Sequence, residues 1–251
     1  MGFINKILPQ KFKPLSRNLG FSINSIIYKI KCIGKKTHSS PIFILGNQKS
    51  GTSVIAGLLG EISNKKTSID LFYSGFNYSL FQKWKDKKIS TETFINNNKL
   101  EFSSKIIKEP HFSVFYQELK SQFPNSKFIM IVRNPFDNIR SILDRLDVNG
   151  NITSLNKSDE KKFFHSWNLL LNNKWIKGEK TQYIEVLAER WNIICNIYLE
   201  NKENIILIKY EDFLLNKEKI IKDLSNKLKL ENNIEISYLL EKQFQPKGKK
   251  Q

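Results

Sequence analysis

The sequence is poor in the groups from which disulfide frameworks and metal sites are built. Its two cysteines, Cys32 and Cys195, lie far apart and in no C-x-x-C pair, and its three histidines have no partners at ligand spacing. No metal cluster is therefore expected, and the thiols fit a reducing compartment. Long apolar runs are missing too: nothing approaches the ~18 to 20 residues of a membrane-spanning helix, and the start lacks the apolar core and small-residue cleavage site of a signal peptide. A cytoplasmic location is the expectation. No internal repeat or long Gly/Pro/Ser linker divides the 251 residues, of which 40% are hydrophobic. That is enough for one sizeable core, so a basic arm (1–40) and a single domain (41–251) are expected.

Negative charge is also scarce. The net charge is +17 and the first forty residues contain no Asp or Glu, which makes the surface attractive to polyanions: nucleic acid, an anionic membrane, an acidic polysaccharide or a phosphorylated cofactor. Much of the lysine is scattered among Ile and Asn, so charge alone does not choose among these partners. The arm has intermittent apolar positions and suits peripheral docking on an anionic membrane or a partner; a loosely ordered tail with one short helix around Phe21 to Ile33 explains it as well.

What the chain does have is a set of apolar runs that empty into polar groups. "PIFILG" reads as a buried strand ending at Gly46, and "TSVIAGLLGEI" carries Val54, Ile55, Leu58, Leu59 and Ile62 at helical spacing. Between them lies "GNQKSGTS". The triphosphate-binding loop G-x-x-x-x-G-K-[ST] places lysine directly after its second glycine, but here Thr52 stands there and Lys49 lies three residues earlier. The order strand, glycine loop, helix still offers an anion backbone N–H groups and the positive end of a helix dipole. Gly51 allows close approach, Lys49 adds a charge, and Ser50, Thr52 and Ser53 add hydroxyl donors.

Two further strands follow the pattern. In "SKFIMIVRNPFDNIRSIL" the strand ends at Arg133, Pro135 suits the first turn of a helix, and Ser141 follows the arginine by eight residues, about two turns in. A guanidinium and a hydroxyl at that spacing can reach one phosphate. In "SSKIIKEPHF" a short strand delivers Lys108 before Pro110 stops it. The first of these strands lacks the terminal acid that holds magnesium in triphosphatases, although Glu211 and Asp212 follow the later strand "NIILIKY". Residues from "DEKKFFHSWNLLLNNKWI" through "QYIEVLAERWNIICNIYLE" read as helical, as does "KEKIIKDLSNKLKL".

Together the loop Lys49-Ser50-Gly51-Thr52-Ser53 and the pair Arg133 and Ser141 resemble the sulfotransferases that use 3'-phosphoadenosine 5'-phosphosulfate (PAPS). The resemblance spans roughly Pro41 to Phe213 and implies an α/β fold, three-layered and P-loop-like, with a central parallel sheet flanked by helices. It implies that the loop holds the 5'-phosphosulfate end and that Arg133 and Ser141 hold the 3'-phosphate. Lys108-Glu109-Pro110 resembles the strand end that carries a catalytic lysine in carbohydrate-type members, which makes Lys49 and Lys108 the candidates for stabilising the leaving oxygen and sulfonate. The acceptor implied is a hydroxyl or amine of a carbohydrate or glycolipid. "SIDLFY" reads as the second strand, and Asp70, at its end, resembles the place of a catalytic glutamate; His111 and Glu109 are the other candidate bases. "PKGKK", with Lys247 and Gly248, is the counterpart of a late basic segment over the cofactor. The alternatives are a P-loop kinase or other nucleotide phosphotransferase, and a non-catalytic basic module that binds polyanions.

Overall fold

The structure is a computed structural model that describes residues 25–72, 77, 79–150, 165–232 and 234–244. Five strands form one sheet: β1 (Ile42–Gly46), β2 (Thr67–Ile69), β3 (Ile106–Lys108), β4 (Lys127–Val132) and β5 (Ile205–Lys209), in the order β2-β3-β1-β4-β5. Every pairing is parallel, with Phe43 opposite Ile107 on one side and Phe128 on the other. Parallel sheets need crossover connections, and these place helices on both faces.

The period of two along each strand separates the two cores. Phe43, Leu45, Ile107, Phe128 and Met130 point into one, under the short helices α3 (Ser79–Lys85), α4 (Thr91–Asn97), α5 (Lys99–Phe102) and α6 (Tyr116–Gln122) and the long α8 (Tyr183–Glu200). Its centre is aromatic: the Trp84 ring stacks on Phe115 at 3.9 Å and on Phe94 at 4.2 Å. Ile42, Ile44, Ile106, Ile129 and Ile131 point the other way, against α2 (Thr52–Ser63) and α10 (Lys217–Lys227). The three layers and central parallel sheet are those the sequence implied.

A helix of residues 25–32, α1, lies outside these layers. Tyr28 holds it: its hydroxyl donates to Glu101 and its ring stacks on Phe72 at 5.5 Å. Residues 1–24 and the segment "PKGKK" lie outside the described residues.

Two stretches differ from expectation. The second strand stops at Ile69 instead of running through "DLFY", because Asp70 turns into the left-handed region (φ 63°), which Asp tolerates better than most residues. The next amides then go to carboxylates, Leu71 N–H to Glu109 and Phe72 N–H to Glu101. Residues 165–176 form two 3-10 turns, His165–Leu169 and Lys174–Ile176, where a helix was expected. Between the turns Asn173 donates to the Val186 carbonyl and to Glu189, and the Asn172 side chain accepts from Lys174 N–H. Such side-chain bonds to backbone compete with a helical ladder.

Candidate active site

Because all five strands run one way, their carboxyl ends share one edge of the sheet, where open α/β folds bind ligands. Gly46, Asp70, Lys108, Arg133 and Tyr210 stand there or one residue beyond.

The loop after β1 is tightly folded and braced. Lys49 (φ 65°) and Gly51 (φ 86°) are both left-handed, and a Cβ on Gly51 would sit 2.4 Å from the Tyr210 ring. Asn138, fully buried on α7 (Pro135–Leu146), donates to the Gln48 carbonyl at 2.8 Å and to Ser50 Oγ at 3.2 Å, while accepting from the Asn47 side chain at 2.9 Å. On the other side Ser113 Oγ accepts from Gly46 N–H at 2.9 Å and donates to its carbonyl at 3.1 Å. Ser50 and Thr52 are buried, and Thr52 opens α2, followed by Ser53. That helix has no side-chain cap and no acidic residue in its first turn. Its first amides and dipole are thus left for an anion.

Cations gather around this helix start. Arg133 donates from Nη1 to the Lys49 carbonyl at 2.9 Å, lies 4.8 Å over the Tyr210 ring, and has its own carbonyl held by Trp191 Nε1 at 3.0 Å. Partial desolvation, then the charges of Arg145 and Arg133, hold the exposed Lys49 ammonium below the usual lysine range. Asn138 touches the loop and Arg145 acts on Lys49; Ser141, half-buried, lies between them at helical spacing of three and four residues. It therefore shares the loop-facing stripe of α7.

The neighbouring strand end is built differently. Lys108 is 4% exposed and pairs with Asp70 Oδ1 at 2.5 Å, while the Asp70 side chain is 44% exposed. Buried Glu109 accepts from His111 N–H at 3.0 Å and from Leu71 N–H at 3.3 Å. Burial, reinforced by the Asp70 charge, pushes its carboxyl up to about 7. His111 is buried as well, with Arg190 Nη2 at 3.2 Å from Nδ1 and the Gln48 amide at 3.3 Å from Nε2. Arginine can only donate, so Nδ1 accepts, the ring proton is on Nε2, and the Gln48 amide must turn its oxygen toward it. Arg190 is fully buried beside the Trp175 ring, its Nε and Nη1 without hydrogen-bond partners among the described residues, and burial pushes it down to about 10. It is still charged at neutral pH.

Residues 39–246 match the family described as "Sulfotransferase domain". The chain belongs to that family. Membership makes it a PAPS-dependent sulfotransferase in general class. Among solved structures it is similar to a sulfotransferase from Alicyclobacillus acidocaldarius (17% identity over 78% of this chain and 83% of the other, TM-score 0.47). It is also similar to one from Mycobacterium avium (12% identity, 86% and 70%, TM-score 0.49). A mouse sulfotransferase complexed with PAP matches at 17% identity over 86% and 68%, with TM-score 0.47. No curated protein sequence matches.

Several groups that shape this sulfotransferase's site were not singled out in the sequence. Asn138 and Arg190 brace the loop and His111, and Tyr210 packs on both Gly51 and Arg133. Arg190 left a legible trace, since it interrupts the buried stripe Tyr183, Val186, Leu187, Ile194 of α8. Asn138 left only its place one turn inside a helix that begins beside Arg133. Glu211, a candidate magnesium acid, accepts from Asn134 N–H at 2.8 Å. Among the described residues no group of three or more His, Cys, Asp and Glu is arranged to hold a metal, and no helix is long and apolar enough to cross a membrane.

Proposed function

We propose that this sulfotransferase moves the sulfuryl group of PAPS to a hydroxyl or amine of an acceptor, with carbohydrates and glycolipids as the acceptor class. The observation that carries the reading is the uncapped, acid-free start of α2, ringed by Lys49 and Arg133, with the carboxylate-paired Lys108 beside it. The donor set fits a phosphosulfate: amides, hydroxyls and cations, with no carboxylate in that first turn. When bound, PAPS would supply the sulfuryl group, with adenosine 3',5'-bisphosphate as the leaving group once the S–O bond to its 5'-phosphate breaks. Lys49, Ser50, Gly51, Thr52 and Ser53 take the 5' end; Arg133 and Ser141 take the 3'-phosphate.

Charge builds on the leaving oxygen as the sulfuryl bond breaks, and cations fixed in advance stabilise that state more than the ground state. Lys49 and Lys108 have that role. Asp70 is the base for the acceptor proton: it is the half-exposed carboxylate of the pair, whereas Glu109 is buried under two amides. His111 presents its Nδ1 lone pair to Arg190 and so acts by holding Gln48 and the loop. Its sequence candidacy as a base gives way to that role. The arm (1–40), the single domain (41–251) and a cytoplasmic location belong to the same reading, the last favoured by two free thiols.

Thermal shift tests the donor site. Adenosine 3',5'-bisphosphate should stabilise the fold by mass action, and adenosine 5'-phosphate much less. Equal stabilisation by both would remove the role given to Arg133 and Ser141, and stabilisation only by ATP with magnesium would favour a kinase.

A further inference from the structure

The first described helix turns its apolar side outward. Ile26, Ile27 and Ile30, and Ile33 in the turn just after the helix, are 60, 44, 61 and 76% exposed, although an isoleucine in a helix ordinarily seeks cover. The spacing of four puts Ile26 and Ile30 on one stripe, which Ile33 extends from the following turn. Tyr28 and half-buried Cys32, four residues apart, form the stripe on the opposite side, which meets the body. Lys29 and Lys31 fall on the two flanks between these stripes, and Lys35 and Lys36 follow in the next turn, all exposed. An exposed apolar ridge edged by lysines on both sides has the cross-section of a helix lying in a bilayer interface, where isoleucines enter the acyl boundary and lysines reach the anionic headgroups.

We infer that α1 is a docking element for an anionic lipid surface. Charge complementarity selects that occupant: no Asp or Glu occurs in the first forty residues, and each lysine near a negatively charged leaflet adds to the attraction. A second copy of the chain would have to bring the same cations together across a two-fold interface. The anchoring is directional. Glu101 accepts from Tyr28 with one carboxylate oxygen and from Phe72 N–H with the other, at 3.1 Å, so α1 is tied to the turn two residues beyond Asp70. A docked α1 brings the β2 side of the sheet toward the headgroups, since Tyr28 lies by Phe72 beyond the end of β2 and Cys32 by Lys66 at its start.

Flotation of the full chain with vesicles tests this. Vesicles of phosphatidylcholine with a third phosphatidylserine should carry the protein, and pure phosphatidylcholine should not. Ile26→Asp with Ile30→Asp, and separately Lys29→Gln with Lys31→Gln, should each lower bound protein about tenfold or more, with unchanged melting temperature because the replaced side chains are exposed. Failure of the wild-type chain to float with anionic vesicles overturns the inference, as does flotation that the isoleucine pair does not alter. So does a wild-type dimer in light scattering that Ile26→Asp with Ile30→Asp converts to monomer, which assigns the stripe to a second copy. A clear drop in melting temperature in the isoleucine variant also overturns it, because the stripe is then covered by the chain itself.

Discussion

The two halves of the sheet's carboxyl edge handle charge in opposite ways. On the β1 and β4 side, Lys49 and Arg133 meet a carbonyl, an aromatic ring and each other's charge. On the β2 and β3 side, a buried lysine meets the Asp70 carboxylate directly, with a second carboxyl, Glu109, buried behind it. A cation cluster with no directly paired carboxylate among the described residues, only the more distant Asp144 acting on Lys49, gains most from an anionic ligand. A lysine already paired gains little from binding, but it is held rigidly where charge can develop, beside a group able to take a proton. The difference separates holding the donor from moving the sulfuryl group.

Substitution on the two sides should therefore give different kinetic signatures. Lys108→Ala should lower kcat by about 10² to 10³, the scale for one preorganised donor, with little change in donor affinity, whereas Lys49→Ala should weaken both. The comparison is made on folded protein by circular dichroism, with a carbohydrate or glycolipid acceptor found using labelled donor. A Lys108→Ala enzyme of normal kcat and reduced stability would make that side purely structural.

Arg133→Ala should weaken adenosine 3',5'-bisphosphate binding by about 1.5 to 3 kcal/mol, the range for a charged hydrogen bond, as read by calorimetry. An equal loss with adenosine 5'-phosphate would show that the arginine does not distinguish the 3'-phosphate. Asn138→Ala should cost about 1 to 3 kcal/mol in unfolding free energy, because it strips partners from the Gln48 carbonyl and the Asn47 amide. Urea titration measures this, and donor affinity should fall with it if the loop needs that brace.

The smallest expected effect is a pH dependence. The Glu109 carboxyl is raised to about 7 in the fold from an ordinary 4.5. Between those values the folded chain keeps a proton that the unfolded chain has lost, so stability falls as pH rises through the window and levels off above it. Glu109→Gln should flatten that slope across the window. Melting curves from pH 4.5 to 8 that are parallel for both proteins would place the penalty elsewhere.

The strand ends were legible because a buried parallel strand is an apolar run and its end is the first polar residue; Gly46, Lys108 and Arg133 were each found that way. The start of α7 was legible from Pro135. Strand order was not, since "IFIL" and "IIK" carry no mark of which neighbour they pair with. The Asp70 turn, the 3-10 turns at 165–176 and the Asn138 brace depend on side chains meeting backbone from distant parts of the chain. Local periodicity contains no record of those meetings.

The strand order has a consequence for synthesis. The strand β1 sits at the centre of the sheet, yet its neighbours β3 and β4 begin only at Ile106 and Lys127. A ribosome adding about 5 to 20 residues per second needs on the order of ten seconds to supply both. Until β3 is made the nascent chain carries the apolar segment Ile42 to Leu45 with both edges unpaired, and until β4 is made with one edge unpaired, a template for pairing with other chains. The same central placement that brings the loop between two cation-bearing strands makes β1 the segment most in need of a chaperone while the protein is being made.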